Sequence, residues 1–114
     1  MSAVLDVVEA HLAAYNDRDV ERLVEGFAED AVFATSEHLV VGRRGVRGFF
    51  TDAFDGPGRG ALELRRAVVQ GDSAACELLQ HLSLGDDTAD LDIAAFYTVR
   101  EGLLARVRVY RDGN

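Results

Sequence analysis

The chain has 114 residues, 48% of them hydrophobic, which is enough to fill one core, so a single domain over residues 1–114 is expected. Twenty acidic residues against twelve basic ones leave a formal charge of −8, and every base is an arginine; such a surface excludes non-specific nucleic-acid binding, whose phosphates demand a basic face. Cys76 stands alone, which excludes a disulfide framework or a zinc-type cysteine pair, and neither a charged leader nor an apolar run of membrane-spanning length is visible, so a cytoplasmic protein without membrane contact is expected.

Val4, Val8, Leu12 and Tyr15 recur at helical spacing, and His11 sits on the same stripe. The polar run Asn16-Asp17-Arg18-Asp19 ends this helix, and Asp19 can cap a second one from Val20 to about Ala28. Glu29-Asp30 then turns into a strand at Ala31-Val32-Phe33. Thr35 to His38 reads as a polar turn, Leu39-Val40-Val41 as a short strand closed by Gly42, and Gly45 to about Phe54 as a third helix with Val46, Phe49, Phe50 and Phe54 on one stripe. Asp55-Gly56-Pro57-Gly58-Arg59-Gly60 is the strongest loop signal in the chain. Four strands follow, Ala61–Gln70, Ser73–Leu84, Thr88–Val99 and Leu103–Tyr110, and their short connections require antiparallel neighbours. Helices followed by a meander predict an α+β fold, with three helices on one face of a curved, mainly antiparallel sheet. Phe27, Phe33, Phe49 and Leu64 are expected to be mostly buried.

Alternation divides the long strands into two faces. In the third long strand Asp90, Asp92, Ala94 and Phe96 share one face, opposite Leu91, Ile93, Ala95 and Tyr97. In the strand before it Glu77, Leu79 and His81 oppose Cys76, Leu78, Gln80 and Leu82. Competing motifs are missing. The glycines from Gly56 to Gly60 lack a strand-turn-helix setting and the lysine of a phosphate loop, the three histidines lack metal-ligand spacing, and no serine sits in an elbow. Neither a metal nor an organic cofactor is expected.

The two short helices, elbow and strand of VVEAHLAAYNDRDVERLVEGFAEDAVF resemble the opening of the ketosteroid isomerase, SnoaL-like cyclase and NTF2-like superfamily. Two further anchors strengthen the resemblance. Val41-Gly42-Arg43-Arg44-Gly45-Val46-Arg47-Gly48-Phe49-Phe50 is similar to the family's third helix, and Phe96 to Gly102 with Ala105 to Asp112 is similar to its closing hairpin. The resemblance spans Val4 to Asp112. It implies a cone of helices over a curved sheet around an apolar pocket, paired as a homodimer through the sheet.

The family's pocket tyrosine aligns with His11, its general-base aspartate with Thr35, and its pocket acid with Ala94 or Ala95. None of the three is retained, so steroid isomerisation by the usual dienolate route is not expected. SnoaL-like cyclases share proton transfer between a histidine on one strand and an aspartate on the next, for which His81 with Asp92 or Asp90 is the nearest match. The Asp-Arg-Asp set of epoxide-hydrolase relatives has no counterpart, because no arginine lies beside Asp92 on its face. The resemblance therefore implies a site in which His11 donates to a substrate oxygen and Asp92 moves a proton, with His81 as the alternative. Tyr15, Phe33, Thr35, Phe50, Phe54, Ala94 and Phe96 would line the pocket. The expected activity is a cofactor-independent isomerase or cyclase acting on a small apolar carbonyl compound. The alternative is a non-catalytic binding or dimerisation module, in which His11 is a core histidine and Glu77 and His81 face solvent or a partner.

Overall fold

A computed structural model describes residues 3–111. Helix α1 (Ala3–Asn16) buries Val4, Val8, His11, Leu12 and Ala14, the stripe that its spacing predicts. Its end is pinned to the sheet by one side chain. The Asn16 carboxamide donates to the Leu62 carbonyl at 2.9 Å and accepts from the Leu62 amide at 2.8 Å, so it occupies the hydrogen-bonding groups that an additional strand would use.

Helix α2 (Val20–Glu25) is capped by Asp19, whose carboxylate accepts from the Arg22 amide at 3.1 Å. It stops at Gly26, three residues earlier than expected, and β1 (Phe27–Ala34) begins at once. Phe27, expected in the helix, is fully buried at the start of this strand. The Glu29-Asp30 stretch is no turn between elements but a bulge inside β1, across which the register with the neighbouring strand shifts. Arg43 holds the bulged end by donating to the Phe27 carbonyl at 2.7 Å.

The short strand β2 (Leu39–Val41) falls where expected, and α3 (Gly42–Asp55) starts three residues early. Gly42 makes that junction at φ +79°, in the left-handed region, where a Cβ would lie 3.4 Å from the Glu29 carbonyl oxygen. The meander consists of β3 (Arg59–Gln70), β4 (Ser73–Leu84), β5 (Asp87–Arg100) and β6 (Leu103–Arg111). Gly71, Gly85 and Gly102 adopt positive φ in its three tight turns.

The sheet order is β2-β1-β6-β5-β4-β3. Every pairing is antiparallel except β1 with β6, which run parallel, a long-range contact that local turn signals cannot announce. Helices α1 and α3 pack on one face of the curved sheet. Phe27 and Phe33 are buried in the core between them, whereas Phe49 and Leu64, expected there too, are only half-buried.

Two glycines of α3 respond oppositely to alanine. Gly42→Ala forces a side chain into the left-handed region and lowers stability by about 1–2 kcal/mol. Gly48 lies inside the helix with open space where a Cβ would stand, so Gly48→Ala raises stability by about 0.5–1 kcal/mol. Urea denaturation of the two variants beside the parent protein checks both signs.

Candidate functional site

A cavity of about 180 Å³ opens between α1, α3 and the concave face of the sheet. Helix α1 contributes His11 and Tyr15, and α3 contributes Phe49 and Phe50. The sheet contributes Phe33 from β1, Gln80 from β4, Ile93 and Tyr97 from β5 and Val107 from β6. The polar turn from Thr35 to His38 forms the rim, where the His38 ring stacks edge-on to Phe49 at 5.3 Å between centroids.

His11 is the most unusual group in this cavity. Its ring is enclosed by Phe27 at 5.5 Å, Tyr97 at 5.9 Å and Phe50 at 6.4 Å, all edge-on. Its Nδ1 is buried and finds no hydrogen-bond partner among the described residues. Desolvation by these rings pulls its pKa from 6.5 down to about 4, and the imidazole is neutral at physiological pH. A neutral imidazole carries one N–H donor and one acceptor nitrogen.

The second polar group is a pair. Gln80 Nε2 donates to the Tyr15 hydroxyl oxygen at 3.3 Å, which leaves the tyrosine proton free to donate in turn. Gln80 is buried, and its Oε1 has no partner among the described residues. Backbone packs against this pair at Gly60, where a Cβ would stand 3.1 Å from both Gln80 Nε2 and the Tyr15 hydroxyl. Burial also raises the pKa of the Tyr97 hydroxyl well above its usual value and pushes the Cys76 thiol up to about 11, so neither ionises near neutrality.

Five of the seven expected pocket residues lie on this side of the sheet. Tyr15, Phe33, Thr35 and Phe50 line the cavity, and Phe54 lines an adjoining depression while touching the Tyr15 and Phe50 rings. The Thr35 hydroxyl is already engaged, accepting from the Glu37 and His38 amides at 3.2 and 3.0 Å. Ala94 and Phe96 lie on the opposite, convex face. Asp92 is exposed on that same face, directly away from His11. His81 also points outward, held between Asp90 at 2.9 Å and Glu63 at 3.0 Å, and these carboxylates raise its pKa.

The expected meeting of His11 with Asp92 or His81 therefore does not occur. The reason is the strand period. Ile93, Ala95 and Tyr97 are the residues the helices cover, so their alternates must face solvent. Gln80, Tyr97 and Arg111 belong to the cavity although sequence reasoning assigned them no role there. The signal for Gln80 and Tyr97 was their place on the more apolar alternate of each strand. Among the described residues, Glu37 at the rim is the one carboxylate that lines the cavity.

The neutral His11 makes stability depend on pH with a definite sign. Its folded pKa lies below its unfolded value, so the unfolded chain binds the extra proton between pH 6.5 and about 4, and stability falls as pH falls through that window. The drop amounts to about 3 kcal/mol, following the roughly 1.4 kcal/mol that accompanies each pKa unit. His81 has a raised pKa and contributes the opposite slope, with stability lost as pH rises. Denaturation midpoints measured from pH 7 to pH 4 should fall less steeply in His11→Phe than in the parent. Equal slopes in the two proteins would contradict the buried neutral imidazole.

Fold comparisons place this arrangement among known structures. TerC, co-crystallised with polyporic acid, superposes with a TM-score of 0.88 at 24% identity, over 97% of this chain and 92% of its own. An LEH-like epoxide hydrolase of M. tuberculosis gives 0.85 at 19% identity, over 96% and 83%. SalBIII, an epoxide hydrolase/cyclase-like enzyme of pyran ring formation in the polyether salinomycin, gives 0.83 at 20% identity, over 96% and 91%. At these identities the likeness is one of fold. Among curated proteins, none matches the chain in sequence. The SnoaL-like domain profile matches residues 8–107, and the chain belongs to that family, with the NTF2-like fold of helices on a curved, mostly antiparallel six-stranded sheet.

Proposed function

We propose that the cavity binds a small, largely apolar carbonyl compound and moves a proton alpha to the carbonyl, as a cofactor-independent isomerase or cyclase does. The observation that carries this reading is the unpartnered, neutral His11 imidazole beside the free hydroxyl proton of Tyr15 in an aromatic enclosure. A ligand carbonyl oxygen satisfies these donors without the desolvation cost that a buried charge would impose. Enolate formation then breaks the alpha C–H bond, sends its proton to Glu37 at the rim and leaves the negative charge on the oxygen held by His11 and Tyr15. Glu37 takes the part first expected of Asp92. Return of the proton to another carbon completes an isomerisation, and attack of the enolate carbon on a second carbonyl completes a cyclisation. The polyporic acid bound by TerC and the cyclase and hydrolase names of the other relatives support a small-molecule pocket.

A non-catalytic binding module is the second reading, favoured by the location of Glu37, which is exposed at the rim rather than buried beside His11. Exchange of alpha protons of 2-tetralone for deuterium, followed by NMR in D2O with saturating protein, separates the two. The catalytic reading expects exchange accelerated about 100-fold or more, lost in Glu37→Gln with binding retained. In His11→Phe, tetralone affinity falls about tenfold, as loss of one hydrogen bond predicts. Binding without any acceleration leaves the module reading in its place.

The same proposal includes a homodimer through the convex face. That face exposes Phe96, Tyr110 and Val68, and the Phe96 and Tyr110 rings pack edge-on at 5.9 Å. Apolar surface of this kind is covered in many oligomers. Light scattering at micromolar concentration should report twice the chain mass, and Phe96→Glu should halve it. A monomeric parent protein would refute the dimer.

A further inference from the structure

A second depression, of about 410 Å³, adjoins the His11 cavity at the open ends of β3, β4 and β5. The two share Tyr15, Gln80 and Arg111, so the Tyr15–Gln80 pair stands at their junction. Gly60 contributes to that passage by having no side chain to crowd the pair. Arg18, Arg59 and Arg111 line the second depression, against Asp87 as its one carboxylate among the described residues. Arg18 is committed to structure, donating to the Phe54 carbonyl and lying 5.1 Å over the Phe54 ring. The guanidinium groups of Arg59 and Arg111 have neither an ion-pair nor a hydrogen-bond partner among the described residues.

Of the twelve arginines, Arg44, Arg59, Arg106 and Arg111 have no side-chain partner among the described residues, in a chain whose twenty acids could pair with most guanidiniums. Arg22, Arg47 and Arg100 do so at the surface. Of the four without a partner, Arg59 on β3 and Arg111 on β6 are the two that line the second depression. Guanidinium presents a planar fork that matches a carboxylate, and such charge-assisted bonds are the strong ones. The buried, unpartnered Oε1 of Gln80 at the junction asks for a hydroxyl or N–H donor.

We propose that the natural ligand is a carboxylic acid, whose apolar, oxygen-bearing body occupies the His11 cavity and whose carboxylate emerges through the junction onto Arg59 and Arg111. The inference rests on the pocket reading above and names its substrate class. The ligand enters oriented, because one end is apolar and the other anionic. The oxygen function near Tyr15 and Gln80 is then delivered to His11 from a fixed direction.

Two fluorescent probes test it, 2-naphthol, an aromatic counterpart of an enol, and 6-hydroxy-2-naphthoate, which adds a carboxylate at the far end. Titration of the parent protein at low salt should show the acid binding about tenfold or more tighter than 2-naphthol, and tighter than its own methyl ester by a similar factor. That preference should shrink with added salt and collapse towards unity in Arg59→Gln with Arg111→Gln. A parent protein that binds 2-naphthol but shows no preference for the acid over the ester overturns the carboxylate assignment and leaves the pocket reading standing. A preference that survives both arginine substitutions also overturns it. Failure of both probes to bind removes both readings together.

Discussion

Burying a polar group inside a small domain costs free energy unless a partner is provided, and the concave side of this sheet provides very few. Its interior polar groups are neutral ones, namely His11, Tyr15, Gln80 and Tyr97. Every other feature of the cavity follows from that constraint. The imidazole gives up its proton because aromatic edges cannot solvate imidazolium, and the Tyr97 hydroxyl keeps its own because they cannot solvate phenolate. The Nδ1 of His11 and Oε1 of Gln80 are the buried polar atoms that folding leaves without a partner among the described residues.

The two faces of β4 and β5 show the same chemistry under opposite solvation. His11 on the dry side is driven neutral. His81, separated from the cavity only by the thickness of the sheet, sits between Asp90 and Glu63 in water and holds its proton more tightly than a free histidine. Residue type alone would have assigned both to acid–base work. The exposed triad is a cross-strand ion pair of the kind that contributes little to stability, because solvent screens it. What distinguishes the two histidines is the low dielectric around His11.

Precision in the cavity comes from connections remote from it. The Asn16 carboxamide locks the end of α1 to Leu62, directly after Tyr15 and five residues beyond His11, and so fixes the helix face that meets the sheet. The bulge in β1, held by Arg43 at Phe27 and by the Arg100–Asp30 pair, bends the strand so that Phe33 reaches the cavity wall. The parallel pairing of β1 with β6 then closes the sheet behind His11, setting Phe27 beside Leu104 at the floor.

Local signals in the chain were sufficient for the order of elements, because turns and periods are properties of neighbouring residues. Positive-φ glycines at 71, 85 and 102 delimit the meander, the bounds of β4 fall where Gly71-Asp72 and Gly85 place them, and the apolar stripe of α1 already contained His11. The family resemblance added the cone. Alternation likewise showed that β5 has two faces. The more apolar alternate, Leu91, Ile93, Ala95 and Tyr97, pointed to the face under the helices, but packing settled it, since Ala94 and Phe96 leave the outer face partly apolar. Aligning the site by family register put Asp92 inside, while the folded sheet turns it to water. Membership of the cavity was therefore not local information. Burial of Ile93, Ala95 and Tyr97 against α1 and α3 sets the register, and a strand that commits those side chains to the core has no freedom left to bring Asp92 or His81 to the same side.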